Sequence, residues 1–133
     1  MKISASVSNG KNRNEVELRT NERRHSIDIP PKAQGLGASV NGGELLFLAL
    51  ATCYCNDVYR EAAKRGLPVE QVDIEVDGEF GAEGEPARHI TYRARVKSTA
   101  SEEEIRDLLV HTDKVAEIHN TLRASSSVTL ELA

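Results

Sequence analysis

Asn41-Gly42-Gly43-Glu44-Leu45-Leu46-Phe47-Leu48-Ala49-Leu50-Ala51-Thr52-Cys53 is the stretch from which the remainder of the chain is most easily read. Asn41 suits a helix N-cap, because its side-chain oxygen accepts an otherwise unpaired amide of the first turn. Glu44, three residues on, completes a capping box. The spacing predicts a helix running to about Arg65, where Gly66-Leu67-Pro68 stops it. Its two halves differ. Leu45–Ala51 leaves no polar face, so burial on every side is expected. After Cys55 the pattern becomes amphipathic, with Asn56, Asp57, Arg60, Glu61, Lys64 and Arg65 set among Val58, Tyr59, Ala62 and Ala63. One small domain has little room to surround a helix. A homodimer whose interface covers the Leu45–Cys53 half is therefore expected.

Outward from the helix the pattern changes to strands. On the N-terminal side Ile3, Ala5 and Val7 alternate, Asn9-Gly10 supplies a turn signal, Val16 and Leu18 continue the apolar face, and Ile27 and Ile29 resume it before Pro30-Pro31. Three short antiparallel strands follow from this, then a loop over Lys32–Val40. On the C-terminal side Val72, Ile74, Val76 and Phe80 are expected to face a core opposite Ile90, Tyr92, Ala94 and Val96. Asp73, Glu75 and Asp77 would then oppose Arg93, Arg95 and Lys97, at about 0.2–1 kcal/mol per good cross-strand pair. Gly81–Ala87 reads as the intervening loop. Ser101 with Glu104 is a second capping box, a further short helix is expected from Thr112-Asp113, and Val128, Leu130 and Leu132 read as a closing strand. The sum is α+β, antiparallel sheets around a long buried central helix, in a single domain over 1–133.

The chain has 133 residues, 17 Lys+Arg against 21 Asp+Glu and a formal charge of −4, so no basic footprint points to nucleic acid. Two cysteines cannot build a disulfide framework, no apolar leader opens the chain, and Leu45–Ala51 is too short to cross a bilayer. A cytoplasmic protein with no membrane and no nucleic-acid partner is expected.

Cys53 is the strongest candidate for chemistry. It stands where the apolar half of the helix meets the polar half, at the lip of any pocket built there, and its thiol would be reactive if a cation lowered its pKa. Arg19, Arg23 and Arg24 in the N-terminal strands are candidate sources of that charge. Cys55 lies roughly 200° around the helix from Cys53, so neither a disulfide nor a shared metal is expected, and Cys55 reads as packing. None of His25, His89, His111 and His119 has metal-ligand spacing. Asn41-Gly42-Gly43-Glu44 lacks the Gly-Lys-Ser/Thr of a phosphate loop and is read as a cap alone. No metal and no cofactor are expected.

Asn41-Gly42-Gly43-Glu44-Leu45-Leu46 continuing to Ala51-Thr52-Cys53, with Ala62-Ala63-Lys64-Arg65-Gly66-Leu67-Pro68-Val69 and Thr121-Leu122 near the end of the last helix, resembles the OsmC/Ohr family. The resemblance covers roughly Gly35–Leu132 and implies an intertwined α+β homodimer that reduces organic hydroperoxides. It implies that Cys53 is the peroxidatic thiol, whose thiolate attacks the O–O bond and becomes a sulfenic acid. In that family a second cysteine resolves the sulfenate, in a Cys-Pro-Val-x-x-Thr-Leu run. The matching run here, Ala116-Glu117-Ile118-His119-Asn120-Thr121-Leu122, has Ala116 in its place. The hydroperoxidase branches also place a Glu ten residues before the cysteine to orient a catalytic Arg. That position is Gly43, and Glu44 reads as a cap.

The leading expectation is thus an oxidoreductase of the oxidative stress response, a thiol peroxidase using Cys53 and regenerated by an external thiol reductant. The alternative is a non-catalytic OsmC-fold protein that binds a small apolar or thiol-reactive ligand at the dimer interface. A redox sensor ranks last, since no partner-recognition feature stands out. Light scattering at micromolar concentration checks the assembly: twice the 14.6 kDa chain mass is expected, and a strictly monomeric mass overturns it.

Overall fold

Alternation of apolar and polar residues from Ile3 to Thr20 produces the first hairpin: β1 (Ile3–Gly10) pairs antiparallel with β2 (Arg13–Thr20). The register sets Val7 opposite Val16 and Ala5 opposite Leu18, so the apolar residues share one face. Asn9-Gly10 belongs to the strand. The reversal falls at Lys11-Asn12, where Asn12 takes a φ of 58°. Asn21, at φ 52°, makes the next one. Asparagine tolerates this left-handed region better than most residues. The third strand, β3, is Arg23–His25 and not the expected Ile27–Ile29. The segment beyond His25 is held by a side chain instead of a ladder, as Asn14 Nδ2 donates to the Ile29 carbonyl at 2.8 Å.

The structure, a computed structural model, describes residues 1–132. Two compact units divide it, the first Met1–Leu45 and the second beginning at Leu46. Ile3 and Val7 are 67% and 64% exposed. The apolar face of the three-stranded sheet is not covered within its own unit.

The helix α1 is Gly42–Lys64. Its capping box forms as expected: Glu44 N donates to Asn41 Oδ1 at 2.8 Å, and Asn41 N donates to Glu44 Oε1 at 2.9 Å. The burial along it reverses the expectation. Leu48 is more than half exposed, whereas Leu50, Tyr54, Asp57, Val58, Glu61 and Ala62 are buried. The amphipathic half packs one face on the layers of its own chain, whereas within Leu45–Ala51 Leu50 alone is buried.

Those layers are the hairpin β4 (Gln71–Glu79) and β5 (Arg88–Lys97), with helices α2 (Glu102–Val115) and α3 (Glu117–Arg123). The hairpin register sets Val72 opposite Val96, Ile74 opposite Ala94 and Val76 opposite Tyr92. On the other face Asp73 opposes Arg95 and Glu75 opposes Arg93, as expected, but Asp77 opposes Thr91 and Lys97 opposes Gln71, and Arg93 reaches Asp77 diagonally at 2.6 Å. The register shifts between Asp77 and Glu79. A Cβ on the intervening Gly78 would lie 2.6 Å from the Phe47 ring, so any side chain there would push that ring aside. Phe80 lies beyond the strand and stacks on Phe47 with centroids 6.1 Å apart, which leaves it half exposed and not in the core.

Ser101 and Glu104 form the second capping box. Helix α2 continues through Thr112-Asp113 instead of ending there. The buried Thr112 hydroxyl donates to the Leu108 carbonyl at 2.7 Å, which satisfies it inside the helix. The break comes at Ala116, whose ψ of 109° is extended. Val128, Leu130 and Leu132 form no strand. At 99%, 83% and 89% exposure they have no ladder partner among the described residues. No helix is long and apolar enough to cross a membrane among the described residues.

Tyr54, Val58, Ala62, Leu108 and Ala116 are the buried centre of the second unit, with Ile74, Tyr92 and Val96 packed against them. Leu108→Ala leaves a cavity at a fully buried site and should lower unfolding free energy by about 2–5 kcal/mol, read from urea midpoints.

Candidate functional site

Leu50, Cys53, Tyr54 and Asp57 recur at helical spacing and share one face of α1. The Cys53 thiol is partly buried and donates to Asp57 Oδ2 at 3.5 Å. The opposing wall is the start of α3, where Glu117 stands close enough that Cys53 Sγ and one oxygen each of Asp57 and Glu117 all lie within 4.8 Å of one another.

Burial pushes the Cys53 thiol upward from its ordinary pKa. The Ile118 backbone N–H pulls the other way, and the carboxylates of Asp57 and Glu117 add to the rise. Asp57 is itself raised, chiefly by burial. The balance within this chain favours the protonated thiol, whereas a reactive Cys53 needs a cation to lower its pKa.

A thiolate and two carboxylates can ligate a metal ion, but here a guanidinium occupies that electrostatic role. Arg60 Nη1 lies 3.0 Å from Asp57 Oδ1 and 3.2 Å from Glu117 Oε1, while its Nε lies 3.0 Å from Glu61 Oε1. Lys64 Nζ adds 3.1 Å to the same Glu61 oxygen, and His111 Nε2 stands 3.4 Å from the other. The Lys64 and Arg60 contacts hold the Glu61 carboxyl down to about 2. Asp57 and Glu61 are 5% and 4% exposed, and buried charge persists only when paired in this way.

Cys55 points elsewhere, into a small cavity with Ala51, Thr52, Asn56, Val72 and Ile74. Both cysteines are free thiols. Ala116 is wholly buried at the joint of α2 and α3, next to the residues that face Cys53. Where the resemblance seeks a resolving thiol there is a methyl group. Gly43 lies in the first turn of α1. Arg23 and Arg24 are exposed on β3 of the first unit, where Arg24 Nε lies 3.9 Å from Glu17 Oε1. Arg19 of β2 pairs with Glu22 at 3.2 Å. Asp57, Glu117 and the Ile118 N–H, which act on Cys53, belong to the second unit.

A second cluster lies on the same face of α1. Tyr54 and Tyr92 meet edge-on at 4.7 Å between centroids, and the His119 ring packs 4.7 Å from Tyr92 and 5.7 Å from Tyr54. The Tyr54 hydroxyl donates to the Leu109 carbonyl at 2.7 Å and the Tyr92 hydroxyl donates to Asp113, which Arg123 Nη2 pairs at 2.7 Å. Burial pushes the Tyr54 phenol up to about 12 and Tyr92 further, so both are neutral donors. His119 is 4% exposed, and neither ring nitrogen has a partner among the described residues.

Sequence reading singled out Cys53 and passed over Asp57, Arg60, Glu117 and His119. The i,i+4 spacing of Cys53 and Asp57 was a legible signal, since it sets both on one face of a helix. The approach of Glu117 and the sealing of His119 carry no local signal.

The model of the OsmC-like protein family matches residues 35–131. Among solved structures, an OsmC-like protein from Mycoplasma pneumoniae is similar at 21% identity, with a TM-score of 0.64, covering 92% of this chain and 86% of the other. An organic hydroperoxide resistance protein OsmC from Legionella pneumophila is 18% identical, with a TM-score of 0.59 and coverage of 92% and 90%. An organic hydroperoxide resistance protein from Elizabethkingia anophelis is 14% identical, with a TM-score of 0.64 and coverage of 92% and 89%. No curated protein matches in sequence.

His119 makes stability depend on pH. Burial, with Arg123 adding to it, lowers its pKa below the ordinary value of about 6.5. The unfolded chain then takes up the proton first, so stability is full above about 6.5 and falls as pH drops from there through the folded value. Urea midpoints between about pH 7.5 and pH 5.5 should show this loss, and a smaller one in His119→Phe. Parallel curves for the two proteins would assign the loss to other groups.

Proposed function

Because the chain belongs to the OsmC-like protein family, we propose that it reduces organic hydroperoxides through Cys53, as a cytoplasmic homodimer regenerated by an external thiol. The observation that carries this reading is the placement of Cys53, on the face of α1 that meets the start of α3, with its thiol partly accessible and its only close cysteine pointing away. Two relatives of this fold bear the name organic hydroperoxide resistance protein.

The reaction follows from the residues present. The Cys53 thiol loses its proton, and the thiolate attacks the distal peroxide oxygen. The S–O bond forms as the O–O bond breaks, and the alkoxide leaves with a proton as an alcohol. Asp57 accepts the S–H and favours the protonated thiol, so the proton of the partly accessible thiol passes to solvent. The resulting sulfenic acid meets no cysteine at Ala116, so an external thiol condenses with it to a mixed disulfide, releasing water. A second equivalent of that thiol returns Cys53 to its reduced form and leaves as a disulfide. Apolar residues exposed within one chain support the homodimer: Leu48 on α1, Ile3 and Val7 on β1, and Val128, Leu130 and Leu132 at the end.

One observation favours a second reading, a non-catalytic protein of this fold that binds a small apolar or thiol-reactive ligand. Two carboxylates face the thiol, which opposes the thiolate that peroxide reduction needs.

Consumption of cumene hydroperoxide with dithiothreitol as reductant separates the two. Turnover should vanish in Cys53→Ser and persist in Cys55→Ser. Asp57→Asn removes a charge that raises the thiol pKa, so its reaction at neutral pH should quicken several-fold, with the gap closing at alkaline pH. Equal consumption by wild type and Cys53→Ser rejects the peroxidase. Thermal stabilisation by ligand without consumption supports the second reading.

A further inference from the structure

Three carboxylates, Asp57, Glu61 and Glu117, are paired with two fixed cations, Arg60 and Lys64. The cluster is left with more negative charge than positive, and the oxygens that the cations take decide where the excess is felt. Lys64 Nζ pairs with Glu61. Arg60 Nη1 lies 3.0 Å from Asp57 Oδ1, whereas the other oxygen of Asp57, Oδ2, faces the sulfur of Cys53 at 3.5 Å. One oxygen of Glu117 completes the surroundings, within 4.8 Å of both. The sulfur thus meets carboxylate oxygen from two elements, α1 and α3.

A molecule that reacts at this sulfur comes under the same two charges. Cys55 points into a separate cavity and Ala116 offers only a methyl group, so an oxidised Cys53 is reduced by a second molecule. In that step the incoming thiolate attacks the sulfenic sulfur. The S–S bond forms, the S–O bond breaks, and hydroxide leaves with a solvent proton as water. The two sulfurs end roughly 2 Å apart. A charge two or three bonds from the incoming sulfur then lies within a few ångströms of Asp57 and Glu117, where unit charges interact appreciably even against water.

We propose that Asp57 and Glu117 select the external thiol by charge: a thiol with a positive group near its sulfur, such as an aminothiol, reacts in preference to a neutral one, and a carboxylated thiol reacts slowest. Glu117 is the specificity-determining residue of the pair, because its side chain is 64% exposed and open to the incoming molecule, whereas Asp57 is buried. The inference rests on the reading of Cys53 as an externally regenerated thiol, yet the charge preference is measurable without peroxide.

The test uses the full chain as Cys55→Ser, so that Cys53 alone reacts, at pH 8 and low salt. Exchange of the reduced thiol is timed with three disulfides: cystamine, bis(2-hydroxyethyl) disulfide and 3,3′-dithiodipropionate. Mass spectrometry reads the mixed disulfide at Cys53. Each rate is divided by that of N-acetylcysteinamide with the same disulfide, which removes differences in leaving group. The normalised rates should fall in the order cationic, neutral, anionic, with about tenfold between the extremes. Molar NaCl should bring the three together, and Glu117→Gln should narrow the spread while Glu117→Asp keeps it. Equal normalised rates, or the reverse order, overturn the proposal. So does an order that survives both molar salt and Glu117→Gln undiminished, since shape and not charge then sets it. If Glu117→Gln fails to fold, the salt dependence decides alone. Peroxide consumption with a flat exchange order sinks this inference and leaves the peroxidase standing; the predicted order without consumption leaves a charge-selective thiol and sinks the peroxidase.

Discussion

Tyr54 is held at both ends of its side chain. Its hydroxyl donates to the Leu109 carbonyl of α2, and its ring lies against Tyr92 of β5 and His119 of α3. One buried residue of α1 thereby ties together every other helix of the second unit and the strand beneath them. An aromatic ring with a polar tip suits this position, because it fills apolar volume while satisfying a helix carbonyl that would otherwise have no further partner. Leu50 and Val58, one turn either side on the same face, continue the contact. The placement of Cys53, next in sequence to Tyr54, follows from this anchoring.

The electrostatics around Cys53 run opposite to those of a cation-activated thiol. Asp57 and Glu117 confront the sulfur, and the strongest nearby cation, Arg60, is shared among three carboxylates instead of facing it. The arrangement is self-consistent as packing. Asp57 and Glu61 occupy buried positions on α1, and each needs a counter-charge to remain there. Arg60 satisfies both and reaches Glu117, which also joins α1 to α3. The consequence for chemistry is a thiol whose nucleophilic form is scarce at neutral pH and which has no internal resolving partner.

Most local structure was legible because its causes are local. Asn41 with Glu44 and Ser101 with Glu104 cap helices by contacts three residues apart. Alternation sets Val72, Ile74 and Val76 on one face and their acidic neighbours on the other, and the ladder reproduces it. The misreadings share a cause as well. Ile27 and Ile29 alternate like a strand, but the Asn14 side chain holds Ile29 instead. Thr112-Asp113 looks like a cap, but the Thr112 hydroxyl turns back to Leu108. Val128, Leu130 and Leu132 have the strand pattern and lack a strand to pair with among the described residues. In each case a contact, or its absence, decided between two conformations that the pattern alone permits.

The amino-acid sequence by itself determined the α+β class, the long helix with its caps and stop, the hairpin face, the divergence of Cys53 from Cys55 and the family. All of these rest on periodicity, on neighbours within one helical turn, or on a linear motif. The tertiary structure alone decided which half of α1 its own chain buries, that Glu117 joins Asp57 at the thiol, and that His119 is sealed without a partner beside a cavity. Those features depend on residues from different elements, such as Asp57 and Glu117, meeting in space, and burial and charge at such a meeting point are set by the whole fold and not by any one segment of it.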